Sequence, residues 1–350
     1  MKVRVLVVDD SALTRRMVAE VLEKDPEIEV VGAAADAYEA REKIVSLRPD
    51  VLTLDLEMPK MDGLTFLKAL MEHQPMPVVV LSSFTKGGSQ HALQALQLGA
   101  VDALGKPGDP AALAEMAPQL ARAVRDAALV HVENLLPHPD RPRIAAPAAE
   151  PAAFDPRQVV LLGASTGGTE ALREILTRLP RRMPGLCVVQ HIPGGFSRSF
   201  AERLNGLCDL DVREAADGDW VEPGVALLAP GGWHMELRRE EERHRVRLTQ
   251  ADPVWYQRPA VDVLFHSAAA CGAAPHAVAA LLTGMGRDGA DGLLALRKAG
   301  ARTFAQDEAS CVVFGMPKAA LDLGAAEEAV SLDAFPARLF EAVHRSSPLS

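Results

Sequence analysis

Five polar residues stand where apolar runs stop. Asp9 and Asp10 follow Val3–Val8, Asp55 follows residues 51–54, Ser82 follows residues 78–81, and Lys106 comes just after residues 101–104. Three carboxylates gathered in one crevice repel each other unless a cation lies between them. Their hard oxygens select Mg²⁺, which keeps several of its waters. A metal ion and a lysine together neutralise an incoming phosphoryl group. Any one of these acids is equally well explained as a helix cap, but the ordered set is not.

A second group lies further along. Gly163-Ala164-Ser165-Thr166-Gly167-Gly168 fits G-x-S-x-G between an apolar run and a helical pattern. Such a turn needs small flanking residues and lifts a serine hydroxyl above a sheet edge, near a positive helix end. Alone it is ambiguous, because a glycine-rich turn there also cradles phosphates or dinucleotides. The turn itself has no G-x-G-x-x-G. His191 closes the run before it, and Asp288 falls in Leu282-Thr283-Gly284-Met285-Gly286-Arg287-Asp288-Gly289. A serine, a histidine and an aspartate at three strand ends suit nucleophile, general base and orienting carboxylate. Their order, Ser…His…Asp, differs from the Ser…Asp…His of α/β-hydrolases. Competing bases are His234, His266 and His276, and competing acids are Asp262, Asp291 and Asp307. His234 follows two glycines in a loop, where it would contact substrate. His266 sits in an apolar helix and reads as packed or capping. Asp291 and Asp307 read equally well as local helix-start or loop groups. Trp233, Trp255 and Tyr256 line a peptide groove or simply pack.

The elements that must position these residues alternate. From Val3 to about residue 130, five apolar runs are each followed by a helical pattern, which implies a parallel sheet with helices on both faces. Ser11 is the expected N-cap of the first helix. Six prolines between Pro137 and Pro156, among alanines, mark an extended, semi-rigid linker. Alternation resumes at residue 159. Two period-two segments, 233–237 and 245–248, separated by charges, predict an exposed hairpin. The fold expected is α/β: a (βα)5 domain at 1–131, a Pro-rich linker at 132–156, and a second doubly wound, mostly parallel α/β domain at 157–346.

The first domain resembles the receiver domain of bacterial response regulators, on Asp9-Asp10, Asp55, residues 58–63, Ser82 and Lys106-Pro107. That resemblance implies phosphorylation of Asp55. It implies Mg²⁺ on Asp10, Asp55 and the Glu57 carbonyl with Asp9 helping through water, Ser82 and Lys106 on the phosphoryl oxygens, and a cis Lys106-Pro107 bond. Receivers often carry an aromatic residue where this chain has Ala103. Residues 163–170, Gln190-His191-Ile192-Pro193 and residues 282–292 resemble the protein-glutamate methylesterases of bacterial chemotaxis, the CheB family. The likeness covers both domains, their order and the linker position. It implies Ser165 as nucleophile, His191 as base, Asp288 as its orienter, the Met285 amide as oxyanion donor and Thr166 lining the site. It also implies no cofactor for the hydrolysis, methylated chemoreceptor helices as substrate, deamidation of glutamine as a second reaction, and a chemotaxis histidine kinase as phosphoryl donor.

Composition narrows the alternatives. The chain has 350 residues, room for about two domains. Its net charge of −10, with acids and bases interspersed, argues against a nucleic-acid partner. The four cysteines are widely spaced without a CxxC pair, which fits a reducing cytosol. No apolar run reaches roughly 18 residues, so no membrane insertion is expected. The N-terminus runs straight into a strand pattern, unlike a signal peptide. A cytoplasmic monomer follows. The rival reading is a phospho-dependent binding regulator whose second domain is a degenerate, non-catalytic hydrolase.

Overall fold

The computed structural model describes residues 2–82, 86–106, 110–130, 132–135 and 155–345. The chain divides into two compact units, Met1–His138 and Pro139–Ser350. Most of the stretch expected as linker, and the Lys106-Pro107 bond, lie outside the described residues. Residues 132–135 form a short 3₁₀ turn.

The first unit alternates β1 (Val3–Val8), α1 (Ala12–Leu22), β2 (Ile28–Ala34), α2 (Ala37–Leu47), β3 (Val51–Asp55), α3 (Gly63–His73), β4 (Val78–Ser82), α4 (Lys86–Gln97), β5 (Asp102–Gly105) and α5 (Pro110–Ala127). Ser11 caps α1 by accepting from the Thr14 amide, as the sequence predicts. Asp36 and Asp62 cap α2 and α3 in the same way. The five strands pair in parallel in the order β2-β1-β3-β4-β5. The order reverses between β1 and β3, and a crevice opens beyond the strand ends at such a reversal. Asp9, Asp10 and Asp55 stand there.

The second unit runs β6 (Val159–Ala164), α6 (Gly168–Leu176), β7 (Gly185–Gln190), α7 (Phe196–Asn205), β8 (Asp211–Glu214), β9 (Val225–Leu228), β10 (His234–Glu240), β11 (Arg243–Thr249), α8 (Val261–Ala270), β12 (Ala277–Leu281), α9 (Ala290–Lys298), β13 (Arg302–Gln306), α10 (Met316–Asp322), β14 (Glu328–Val330) and α11 (Phe335–Arg345). Seven strands form one parallel sheet in the order β14-β13-β12-β6-β7-β9-β8. The chain leaves β6 toward β7, then returns to β12 on the other side, so the reversal again flanks the first strand. Val159, Leu161, Cys187, Val189, Ala277, Ala279 and Leu281 alternate onto one face and pack with Leu264 and Phe265 of α8 and Leu293 and Leu296 of α9. Their neighbours of opposite parity serve the other face, where α6 and α11 lie. Burial on both faces explains the uninterrupted apolar runs.

The hairpin β10–β11 corrects one expectation: it is not wholly exposed. Met235, Leu237 and Val246 are buried in the same cluster as Phe265, while the arginines between them face out. Period-two alternation always leaves one apolar face, and α8 covers it here. The Leu237 amide donates to Ser267 Oγ of α8 at 2.9 Å. The short strands β8, β9 and β14, of four, four and three residues, are additional to those read from sequence.

Candidate functional site

The serine turn is built by exclusion of side chains. Gly167 adopts φ +77, and its amide-rich turn caps α6 without a side chain. A Cβ on Gly168 would lie 2.2 Å from Gln190 Oε1 and 2.6 Å from Ala164 Cβ. The turn therefore tightens, and the Gly168 amide donates to Ser165 O at 2.7 Å. Ser165 and Thr166 are each only 9% exposed.

Three strand ends then converge. His191 Nδ1 is 3.0 Å from Ser165 Oγ, and His191 Nε2 is 2.7 Å from Asp288 Oδ2. The His191 side chain is buried, as is Asp288. Asp288 Oδ2 also accepts from the Val261 amide at 2.7 Å, and Oδ1 from the Asp262 amide at 2.9 Å. Those are the first two amides of α8, whose N-cap Ala260 has no capping side chain. Asp288 supplies the cap from another element. Burial pushes its carboxyl upward, but the His191 hydrogen bond and charge and the two amides outweigh that, and the pKa falls below 3.8. A charged carboxylate only accepts, so Nε2 carries the imidazole proton and Nδ1 offers its lone pair to Ser165. The two ring nitrogens are used in the opposite sense to the serine-protease arrangement.

The other histidines and acids take different places. His234 is not a substrate contact: it is 1% exposed, its Nδ1 accepts from the Ala260 amide at 3.2 Å, and its Nε2 donates to Asp252 O at 3.1 Å. Burial holds its pKa below the usual imidazole value. His266 is exposed rather than packed. His276 lies 3.7 Å from Asp155. Asp291 pairs with Arg287, and Asp307 accepts from Ser310. Asp262 sits beside the triad without joining it: its carboxylate accepts from the Gly292 amide at 2.7 Å and the Trp255 indole at 2.9 Å.

Gly284, Gly286 and Gly289 carry a G-x-G-x-x-G spacing, yet each glycine has a local cause. A Cβ on Gly284 would stand 2.6 Å from Ser165 Cβ, so the turn that holds Met285 lies against Ser165. Gly286 and Gly289 adopt φ +88 and +86. Three further residues hold the turns together. Gln190 Nε2 donates to both Ser165 O and His191 O, at 2.9 and 3.0 Å. Thr283 O accepts from the Ser165 amide, and Thr283 Oγ1 donates to Thr166 O at 3.0 Å. Gln306 Oε1 accepts from the Thr283 amide at 2.9 Å. Their types are unremarkable in sequence; only the sheet order brings them to the serine.

The first unit gathers its own cluster. Lys106 Nζ lies 2.7 Å from Asp55 Oδ2 and 2.8 Å from Asp9 Oδ2. Asp55 Oδ1 accepts from the Glu57 amide at 3.2 Å, and Asp9 Oδ1 from the Ser11 amide at 2.9 Å. Ser82 is buried at the end of β4, and its carbonyl accepts from the Lys106 amide at 2.6 Å. Ala103 is buried on β5. Gly63 lets α3 begin hard against β3: a Cβ there would be 2.4 Å from Asp55 O. Burial and the Asp9 charge raise the Asp55 pKa although Lys106 opposes them. Oxygens of Asp9, Asp10 and Asp55 lie within 4.8 Å of one another. One lysine against three carboxylates leaves an excess of negative charge on hard donors, a set that fits Mg²⁺. No helix among the described residues is long and apolar enough to cross a membrane.

The profile of the CheB methylesterase family matches residues 160–339, and that of the response regulator receiver domain matches residues 5–118. The protein-glutamate methylesterase/protein-glutamine glutaminase 2 of Syntrophus aciditrophicus is 50% identical over 332 residues, covering 95% of this chain and 96% of its own. The Pseudomonas aeruginosa protein of the same name is 48% identical over 348 residues, covering 99% and 98%. Among solved structures, the Thermotoga maritima CheB methylesterase catalytic domain is 38% identical with a TM-score of 0.51, covering 53% of this chain and 97% of that one.

Proposed function

The chain belongs to the CheB methylesterase family, and we propose that it is a serine hydrolase that demethylates glutamate γ-methyl esters of chemoreceptors under the control of phosphorylation at Asp55. The observation that carries the reading is the continuous hydrogen-bonded line Ser165 Oγ, His191 Nδ1, His191 Nε2, Asp288 Oδ2. His191 Nδ1 takes the serine proton as Oγ attacks the ester carbonyl. The oxyanion forms beside the Gly284–Gly286 turn, where the Met285 amide is the assigned donor, worth about 3 kcal/mol in comparable enzymes. Methanol leaves with the proton from His191. Water, deprotonated by the same nitrogen, then releases glutamate from the acyl-enzyme. Asp288 stabilises the imidazolium at both steps, and Thr166 lines the site. Glutamine deamidation follows the same course with ammonia leaving, in keeping with the relatives' second name. The hydrolysis needs no cofactor.

Ser165→Ala tests the assignment: methanol release from methylated receptor fragment should vanish, and near-normal release would sink it. Fluorophosphonate labelling of Ser165 separates the esterase from the rival reading, a non-catalytic phospho-dependent binder, which would leave the serine unlabelled.

In the receiver domain, Asp10, Asp55 and the Glu57 carbonyl would hold Mg²⁺, with Asp9 through water, and the bound ion supplies positive charge against the phosphoryl group. Lys106 already bridges Asp9 and Asp55 and would meet the phosphoryl oxygens together with Ser82. The donor is a chemotaxis histidine kinase, and the setting is the cytoplasm, with the protein acting as a monomer without nucleic acid. The domains are assigned to 1–131 and 157–346, joined by the linker 132–156. Without phosphate the receiver holds the esterase activity down, and phosphorylation biases the two states by a few kcal/mol. A fragment from residue 155 onward should outpace the unphosphorylated full chain; equal rates would end the idea of inhibition.

A further inference from the structure

One loop of the catalytic unit is built against its own sequence preference. The Val254 amide donates to Gln257 O at 3.1 Å and the Gln257 amide returns to Val254 O at 2.9 Å. Between them Trp255 and Tyr256 both take positive φ, +54 and +62. Two left-handed residues in a two-residue hairpin mark a type I′ turn, whose preferred sequence is Asn-Gly. Large aromatic residues are outliers there, and strain of this kind persists only where surrounding contacts hold it.

Those contacts lead toward the triad. The Trp255 indole donates to Asp262 Oδ2, and the Asp262 amide donates to Asp288 Oδ1. The Arg287 guanidinium lies 5.3 Å over the Trp255 ring and directly precedes Asp288 in the chain. The turn also joins the loop after β9, since the Gly232 amide donates to Arg258 O at 2.9 Å. That loop carries Trp233, 39% exposed, while Tyr256 at the tip is 89% exposed. Nothing about packing asks for a tyrosine there.

We propose that the Trp255–Tyr256 turn is a substrate-gripping, specificity-determining element of the esterase. Trp255 is the anchored base and Tyr256 the free aromatic face, with Arg287, whose Nη2 pairs with Asp291 while its side chain stays half-exposed, as the cation alongside. Aromatic rings beside an arginine are the groups that dominate protein-surface recognition. This combination suits an amphipathic helix that presents apolar side chains to the rings and free carboxylates, next to the esterified one, to Arg287. The inference rests on the reading that Ser165 attacks a glutamyl ester on a helical protein.

The test uses the full chain with methylated receptor cytoplasmic fragment, measuring kcat and KM for methanol release and the rate of fluorophosphonate labelling at Ser165. The double variant Trp255→Asn/Tyr256→Gly restores the low-strain turn sequence, so folding is retained; Tyr256→Ala removes only the exposed ring. The expected result is a KM raised about tenfold in the double variant and several-fold in Tyr256→Ala, with kcat within twofold. An unchanged KM overturns the proposal. So does a labelling rate that falls in step with methanol release, which would mean that the turn only braces Asp288 through Asp262. If the unaltered chain labels at Ser165 but releases no methanol, the ester-substrate reading itself fails, and the gripping role fails with it.

Discussion

Replacing Asp288 with asparagine asks what the carboxylate does that an amide cannot. The amide has two possible seats. With its NH₂ at the Oδ2 position it faces two donors, the Val261 amide and His191 Nε2–H. The ring would then shift its proton to Nδ1, which could no longer accept from Ser165. With its NH₂ at the Oδ1 position the Asp262 amide and the NH₂ itself both lose an acceptor, but the working tautomer survives. Each buried unsatisfied donor costs about 1–3 kcal/mol, so both seats destabilise the fold and the kinetics tell them apart. In the second seat the loss is electrostatic. In the transition state the imidazolium faces a neutral oxygen instead of a carboxylate. Two unit charges about 4 Å apart at an effective dielectric constant of about 20 interact by about 4 kcal/mol. At 1.36 kcal/mol per decade this is about a thousandfold in kcat. The measurement is methanol release at saturating methylated receptor fragment, with fluorophosphonate labelling of Ser165 as a substrate-independent check. A loss under tenfold would refute the reasoning. A loss nearer ten-thousandfold, the size of the wrong-tautomer effect in a serine protease, would mean that the amide takes the first seat.

Other outcomes follow from the same geometry. Gly284→Ala should lower kcat by at least tenfold in the methanol assay, because its Cβ would press within 2.6 Å of Ser165 Cβ and 2.5 Å of Met316 Sδ; an unaffected rate would show that the turn yields. Mg²⁺ should raise the melting temperature of the receiver unit, by about 1.4 kcal/mol of stability at ten times its dissociation constant. Asp55→Asn should remove most of that gain, and an equal rise in both would place the ion elsewhere. Buried His244 has its pKa pushed down to about 4 by burial, then by Arg239 and His276. The unfolded chain therefore takes up a proton first, and stability is lost as pH falls from about 6.5 toward 4. Urea midpoints at pH 7 and pH 5 should fall further for the natural chain than for His244→Phe; parallel losses would exclude His244 as the cause.

Much of this arrangement is legible in the sequence because parallel strands buried on both faces must read as apolar runs, and the groups doing chemistry stand at their carboxyl ends. Ser165, His191 and Asp288 are found that way. What escapes is set by contacts remote in sequence. Strands β8 and β14 are short edges with little apolar signal. His234 follows two glycines and resembles a loop residue, yet the hairpin buries it and turns its ring toward Ala260. Gln190 and Thr283 acquire their roles only when β6 lies between β7 and β12. Which ring nitrogen meets the serine depends on the side from which α8 and Asp288 approach, which no spacing records.

The side chain of Gln190 has a consequence for how the enzyme fails. It fastens the peptide of Ser165 to the peptide of His191 across two central strands, whose register also pairs Ala164 with Gln190. The separation of Ser165 and His191 is thus a dimension of the sheet itself. Loosening of the surrounding loops leaves that dimension intact. Chemical competence at the serine should accordingly survive heating or denaturant until the central strands part, and then disappear together with the fold in a single step.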